Sequence, residues 1–108
     1  MAFRYNQDTP PVNLIGLPKL TDFWTAHPRS RRPLETWKSL LEKNTFRHFA
    51  HLKQTFGAVD YSAPDTIFDV GGNKYRVVAV VNFETQIAVV KAVMTHEDYD
   101  SWSKRRKK

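Results

Sequence analysis

The sequence feature that most constrains the fold is a glycine-rich turn between runs of β-branched residues. Residues 71–73 read Gly-Gly-Asn, and glycine and asparagine adopt the positive φ angles of tight turns at low cost. Valine-rich runs follow at residues 74–83 and 86–94, and a shorter apolar run precedes the turn at residues 66–70. The pattern predicts an antiparallel meander of three strands, with residues 84–85 as a second tight connection.

Before this meander, the apolar residues recur with the spacing that is typical of helices. Proline suits a first helical turn, so Pro18 and Pro33 predict the starts of two helices, and Pro28 ends the first of them. A third, shorter helix is predicted to end at Gly57. The apolar stripes of the three helices are, in order, Leu20, Phe23 and Trp24; Leu34, Trp37, Leu40 and Leu41; and Phe46, Phe49, Leu52 and Phe56.

Two shorter elements complete the predicted layout. A short apolar run at residues 12–15 predicts a strand at a sheet edge. Thr95 is a predicted N-cap with acidic residues in the turn that follows it, so a last helix is expected over residues 96–103. We therefore predict an α+β fold in which helices stack on one face of a small antiparallel sheet.

One domain accounts for most of the chain. We expect a flexible extension at residues 1–11, a single domain at residues 12–103 and a basic tail at residues 104–108. Five of the 17 basic side chains lie in that tail, which leaves 12 basic and 11 acidic side chains in the rest. The tail is either a solubilising end or an arm that gathers phosphates of RNA or of the ribosome.

Composition excludes several kinds of site. The chain has 108 residues and no cysteine, which excludes disulfides, thiolate metal sites and cysteine nucleophiles. No apolar run approaches the roughly 18 residues that span a membrane. The first residues lack the apolar centre of a signal peptide. We therefore expect a cytoplasmic protein without membrane contacts, and the net charge of +6 predicts a polyanionic partner.

Two cations interrupt the valine-rich strands. With residues 84–85 as a two-residue loop, Arg76 faces Val93 and Val78 faces Lys91, so Arg76 and Lys91 share one face of the hairpin. The pair is either two snorkelling side chains on a solvated face or a site for one phosphate. The residues predicted to hold the other face to the helices are Tyr75, Val77, Val81, Val90 and Met94.

His96 is the histidine best placed for chemistry. It lies where the third strand meets the last helix, three residues before Tyr99, so both side chains can point the same way. It either packs against Tyr99 or Trp102, or it transfers protons or stacks on a base. The other histidines, which we interpret as structural or surface residues without a metal, are His27, His48 and His51.

Two segments carry a family resemblance. Residues 68–78 read Phe-Asp-Val-Gly-Gly-Asn-Lys-Tyr-Arg-Val-Val and residues 93–100 read Val-Met-Thr-His-Glu-Asp-Tyr-Asp. They resemble the HigB toxins, which are mRNA interferases of bacterial toxin–antitoxin pairs within the RelE-like group. The similarity covers about residues 12–103, because the stretch at residues 13–23, His27-Pro28, Leu52-Lys53 and Phe56 also resemble the family. The extra N-terminal residues and the basic tail depart from the family pattern.

The resemblance implies a RelE-like fold and endonucleolytic cleavage of mRNA, usually on the translating ribosome. The implied partner is a helix-turn-helix, HigA-like antitoxin, through which DNA is bound only indirectly. The positions that match the family are Asn73, Arg76, Thr95, His96, Tyr99 and Asp100, and Lys53 and Lys91 match basic positions less strictly.

On that basis we expect metal-independent cleavage without a cofactor, in which the RNA 2′-OH attacks its own phosphate. His96 is expected to transfer a proton, Arg76 and Lys91 to stabilise phosphate charge, and Tyr99 to stack on a base. Which group acts as base and which as acid stays open. The residues expected to bind RNA are Lys53, Asn73, Lys74, Lys104, Arg105 and Arg106.

Two alternatives use the same residues without catalysis. One is a module that only binds RNA or the ribosome through the basic face and tail. The other is a subunit with the toxin fold that regulates the operon with its partner.

Overall fold

A five-stranded sheet organises the computed structural model, which describes residues 10–106. The strands are β1 (Asn13–Ile15), β2 (Val59–Ser62), β3 (Asp65–Val70), β4 (Tyr75–Asn82) and β5 (Ile87–Thr95). Their order across the sheet is β1-β5-β4-β3-β2. Strands β2 to β5 form an antiparallel meander, which confirms the predicted α+β class and extends the predicted meander by one strand.

The edge strand β1 makes the sheet mixed rather than wholly antiparallel. Its edge position was predicted, but it pairs with β5 in parallel, with Leu14 opposite Ala88. Parallel neighbours need a long crossover connection. Three of the four helices and the other strands lie between β1 and β5 in the chain and supply that length.

Strand β2 is the element that the sequence pattern missed. It has four residues, three of them exposed, and it lies between Gly57 and a cis Ala63–Pro64 peptide bond. Only Val59 is buried, so the strand lacks the alternation that reveals longer strands.

The helices follow the predicted order. They are α1 (Leu17–Ala26), α2 (Arg31–Glu42), α3 (Phe49–Phe56) and α4 (His96–Arg106), with a short 3₁₀ turn at Pro28–Ser30. Pro18 lies in the first turn of α1, and Gly57 follows α3 with a φ of 73°. Helix α2 begins two residues before Pro33, and α4 continues three residues beyond the predicted end at Ser103.

The hydrophobic core lies between the sheet and α1, α2 and α3. Leu20, Leu34 and Leu52 contribute one fully buried side chain from each helix. They pack in one cluster with Phe68 and Val77 of the sheet. Burying a side chain of this size contributes roughly 1.5–3 kcal/mol to stability, so these helices hold the sheet in place from one side.

Helix α4 contacts the other face of the sheet. Tyr75 and Val77 belong to the core cluster, so Arg76 between them points away from the core. The guanidinium of Arg76 lies over the ring of Tyr99 in α4. The prediction that helices lie on one face therefore holds for α1 to α3, whereas α4 begins on the opposite face.

A β-bulge in β5 changes the predicted register of the hairpin. Ala79 pairs with Val90, as predicted, but Val78 pairs with Ala92, so Lys91 is the extra residue. Beyond this point the predicted partners are wrong by one position. Arg76 faces Met94 instead of Val93. Met94 therefore lies on the face of Arg76, and Val93 takes its predicted place against the core cluster.

Candidate active site

The turn between β3 and β4 and the start of α4 meet at one end of the sheet. Tyr75 pairs with Thr95 at the last step of the β4–β5 ladder. Beyond it, the backbone N–H of His96 donates to the carbonyl oxygen of Lys74 over 2.9 Å. These contacts place the first residue of α4 beside the turn.

Local chemistry explains why α4 begins there. The backbone N–H of Asp98 donates to Oγ1 of Thr95 over 3.1 Å, so the predicted N-cap is confirmed. Glu97 and Asp98 occupy the first turn, where acidic side chains stabilise the helix dipole.

The turn itself has left-handed backbone conformations at successive positions. The φ angles of Gly71, Gly72 and Asn73 are 69°, 62° and 75°, which confirms the predicted turn. A Cβ atom at Gly72 would meet no heavy atom within 4 Å. The turn therefore has an open side where another molecule can approach its backbone.

An open cleft of about 470 Å³ lies between the turn and the start of α4. It contains two imidazoles, one ammonium group and one carboxylate at its walls, a set that can move protons and bind phosphate. The residues lining the cleft are His27, Gly72, Asn73, Lys74, Tyr75, Thr95, His96 and Glu97.

His96 lies at the cleft with a half-exposed side chain. Its relative exposure is 40%, and its Nδ1 atom is 3.7 Å from Oε1 of Glu97. Exposure of this degree leaves the imidazole accessible to a bound molecule.

Arg76 is held by the protein itself. Its Nε donates to Oδ1 of Asp69 over 2.7 Å, and Nη2 donates to Oδ1 of Asn73 over 2.8 Å. Nη1 donates to the carbonyl oxygens of Asn73 and Tyr75, each over 3.2 Å. The side chain is only 12% exposed, so its donors serve mainly to hold the turn in place.

Tyr99 stacks on Arg76 rather than lining the cleft. The guanidinium carbon is 5.5 Å from the ring centre, within the range of a cation–π contact. The ring also lies 5.7 Å from that of Trp102. His96 and Tyr99 are thus neighbours on α4 with different surroundings.

The predicted pair of Arg76 and Lys91 does not form one site. Nζ of Lys91 donates to Oδ1 of Asp65 over 2.9 Å, whereas Arg76 is paired with Asp69. The two aspartates are four residues apart on β3, a separation of about 13 Å at the usual strand rise. Each cation therefore pairs with its own carboxylate in this structure, and their sharing of one phosphate stays a prediction.

The other predicted RNA contacts are spread over the surface. Asn73 and Lys74 line the cleft. Lys53 is exposed on α3, and Lys104 and Arg105 are exposed on α4, away from the residues that line the cleft. Arg106 ends α4. Lys104–Arg106 are thus helical residues, and residues 107–108 of the predicted tail lie outside the described residues, as do residues 1–9.

His27 is the cleft residue that sequence reasoning missed. The pattern placed it at a helix end without a role, but the structure brings it to the same cleft as His96. Its position 69 residues earlier in the chain gave no signal of this proximity. His48 and His51 instead organise α3, because Nδ1 of His48 accepts from the backbone N–H of His51.

Metal-binding groups and membrane-spanning helices are two further features that bear on function. Within residues 10–106, no group of three or more His, Asp or Glu side chains is placed to hold a metal ion. In the same range, no helix is both long and apolar enough to cross a membrane.

Comparison with known proteins decides the family. The profile of HigB toxins, described as the RelE-like toxic component of a toxin–antitoxin system, matches residues 30–102. The chain belongs to the HigB toxin family. The mRNA interferase toxin HigB of Escherichia coli strain K12 is 35% identical over 92 residues, which cover 82% of this chain and 88% of that protein.

Two further HigB proteins match to the same extent. The mRNA interferases HigB of Escherichia coli O157:H7 and of Shigella flexneri are each 35% identical over 92 residues, with the same shares of both chains covered. The resemblance to HigB toxins seen in residues 68–78 and 93–100 is thereby confirmed over most of the chain.

Proposed function

We propose that this chain is an endoribonuclease that cleaves mRNA as the toxin of a toxin–antitoxin pair. The proposal depends most on the cleft of this HigB family member. His96 lines the cleft together with the turn that bears Lys74. Its curated relatives are named mRNA interferases. The site of action is the cytoplasm, where mRNA is translated.

The proposed reaction uses the RNA as its own nucleophile. The 2′-oxygen forms a bond to the adjacent phosphorus, and the bond from phosphorus to the 5′-oxygen breaks. The 2′-OH proton passes to a base, and the leaving 5′-oxygen receives a proton from an acid. The products are a 2′,3′-cyclic phosphate and a 5′-OH, and the step requires neither a metal nor a cofactor.

His96 and Lys74 take the direct roles in this proposal. The exposed imidazole of His96 is accessible for proton transfer. Lys74 is exposed at the cleft, so its ammonium group can stabilise the charge that accumulates on the phosphate. The amide of Asn73 lies on the same wall and can donate to a phosphate oxygen or a base.

Arg76 acts mainly through its neighbours. Its hydrogen bonds to Asn73 and its contact with Tyr99 fix one wall of the cleft and the direction of α4. Tyr99 then stacks on a nucleotide base that extends out of the cleft, as aromatic side chains often do with unpaired RNA. Lys91 supports the sheet through Asp65 and stabilises RNA phosphates only by its surface charge.

The further basic side chains extend the RNA-binding surface. Lys104 and Arg105 continue α4 beyond Tyr99 and attract phosphates without regard to sequence, as does Lys53 on α3. The ribosome positions the substrate, which compensates for the open shape of the cleft. A HigA-like antitoxin with a helix-turn-helix domain inhibits the toxin and carries the complex to DNA.

Induced expression followed by mapping of mRNA ends tests the proposed function. Wild-type protein should stop growth and create new 5′-OH ends, and co-expression of the antitoxin encoded beside it should prevent both effects. Lys74→Ala should reduce cleavage by about 10- to 100-fold, because the charge on the phosphate loses its cation.

Lys43→Ala is the matched control for Lys74→Ala. Lys43 is exposed at the end of α2 and does not line the cleft, so its loss removes one charge without touching the site. Absence of new 5′-OH ends with the wild type would refute the nuclease proposal. Ribosome binding without cleavage would then favour the non-catalytic alternative.

A further inference from the structure

His27 shares the cleft with His96 although 69 residues separate them in the chain. It is exposed at the end of α1, and it lines both the cleft and the adjacent groove with Arg29 and Tyr75. Among residues 10–106, these are the two histidines that line the cleft.

The backbone of His27 is fixed on both sides. Its N–H donates to the carbonyl oxygen of Phe23 over 2.8 Å. Its own carbonyl oxygen accepts from the backbone N–H and from Oγ of Ser30, over 2.8 and 2.7 Å. Ser30 is fully buried, so this end of α1 is anchored to the interior.

Aromatic contacts fix the imidazole relative to the sheet. The ring of His27 stacks on that of Phe23, with centroids 4.3 Å apart and planes inclined by 21°. Phe23 meets Tyr75 edge-on at 5.8 Å, and Tyr75 pairs with Thr95 beside His96. A continuous series of contacts therefore sets the position of one imidazole relative to the other.

We propose that His27 is the second proton-transfer residue of the cleft, acting as the acid while His96 acts as the base. This inference rests on the proposed ribonuclease function. Cleavage through the 2′-OH requires two groups at opposite ends of the scissile phosphate. His27 at the end of α1 and His96 at the start of α4 line one cleft, and two histidines on separate elements match that requirement.

The proton balance assigns a role to each ring. Neutral His96 takes the 2′-OH proton as the bond from O2′ to phosphorus forms. Protonated His27 gives its proton to O5′ as the bond from phosphorus to O5′ breaks. No oxidant, reductant or further reactant is needed, and a later exchange of protons with water restores both rings.

The charged neighbours support this order. The carboxylate of Glu97 lies 3.7 Å from Nδ1 of His96, so a negative charge adjoins the ring that receives the proton. The other titratable or charged groups facing the two rings are Lys74 and Tyr75 in the cleft and Arg29 in the groove behind His27. In this proposal Lys74 serves the phosphate.

A substrate with sulfur in place of the bridging O5′ at the mapped cleavage site tests the assignment. A thiolate leaves without prior protonation because thiols are far stronger acids than alcohols. Single-turnover cleavage should be measured on translating ribosomes with purified wild type, His27→Ala and His96→Ala. The control variant is Gln54→Ala, which removes an exposed side chain of α3 outside the cleft.

We expect His27→Ala to cut the oxygen substrate at least about 100-fold more slowly than wild type and the sulfur substrate within about threefold of wild type. His96→Ala should remain slow on both substrates. An unchanged rate of His27→Ala on the oxygen substrate would overturn the proposal. Equal slowing on both substrates would assign His27 a structural role instead. If the wild type cuts neither substrate, the ribonuclease function itself fails.

Discussion

The guanidinium carbon of Arg76 lies 5.5 Å from the ring centre of Tyr99, so a strand residue supports the first turns of α4. The same guanidinium holds the β3–β4 turn through Asn73 and is itself held by Asp69. One side chain therefore connects both walls of the cleft.

Arg76→Lys keeps the charge but removes the planar set of donors. We expect the free energy of unfolding to fall by about 1–3 kcal/mol, because hydrogen bonds to charged groups contribute about that much. Cleavage should fall at least about tenfold, since Asn73 and Tyr99 lose their common support. Urea unfolding and single-turnover cleavage measure the two effects. Wild-type behaviour of Arg76→Lys would show that charge alone is needed, as a phosphate ligand requires.

Lys91→Ala tests whether Lys91 supports the sheet. The carboxylate of Asp65 is only 3% exposed and loses its cation in this variant, so we expect destabilisation of about 1–3 kcal/mol. Combining it with Asp65→Asn should recover part of that loss, because no buried charge then remains. A thermodynamic cycle from urea unfolding checks this coupling. Loss of cleavage at unchanged stability would instead favour the predicted phosphate role of Lys91.

Gln86→Leu tests a buried connection between the hairpin and the segment before α3. The side chain is 2% exposed, its Nε2 donates to the carbonyl oxygens of Phe46 and Phe83, and its Oε1 accepts from the N–H of Phe46. Leucine removes the partners of the buried N–H and carbonyl groups of Phe46, at a cost of about 1–3 kcal/mol for each. We expect a loss of at least about 2 kcal/mol in urea unfolding. Stability equal to wild type would contradict the importance of these bonds.

Gly16→Ala and Gly72→Ala form a matched pair. Both glycines have positive φ angles, but a Cβ at Gly16 would lie 3.1 Å from the carbonyl oxygen of Val90, whereas at Gly72 it would meet nothing within 4 Å. We expect Gly72→Ala to lower the free energy of unfolding by about 1–2 kcal/mol, from backbone strain alone. Gly16→Ala should lower it further, because crowding adds to the strain. Equal losses in thermal or urea unfolding would show that crowding against β5 is unimportant.

The sequence predicted the elements whose signals are local. The turn at residues 71–73, the N-cap at Thr95 and the proline in the first turn of α1 each depend on a few neighbouring residues, and each was correct. The family resemblance likewise depends on short segments. Strand β2 escaped because its single buried residue, Val59, gives no periodicity.

The site was harder to predict because its contacts join distant parts of the chain. The carboxylates of Asp65 and Asp69 hold the two predicted phosphate ligands, and neither pairing follows from spacing along one strand. His27 reaches the cleft because α1 packs beside β5 and because the ring of His27, just after the helix, stacks on Phe23. Ion pairs between strands and contacts between distant helix ends form only in the assembled fold. The periodicity of a single segment therefore cannot predict them.

The extra residue in β5 also bears on which changes in chain length the fold can accept. Side chains alternate along a regular strand, and Val90 and Ala92 already pair with the consecutive residues Ala79 and Val78, so deletion of Lys91 would close the bulge without moving any later pair. Val93 would stay opposite Val77 against the core, and Met94 would stay opposite Arg76, so α4 would still start on the same face of the sheet. Position 91 should therefore accept a deletion without reversing the strand, and what the deletion removes is the ion pair between Lys91 and Asp65.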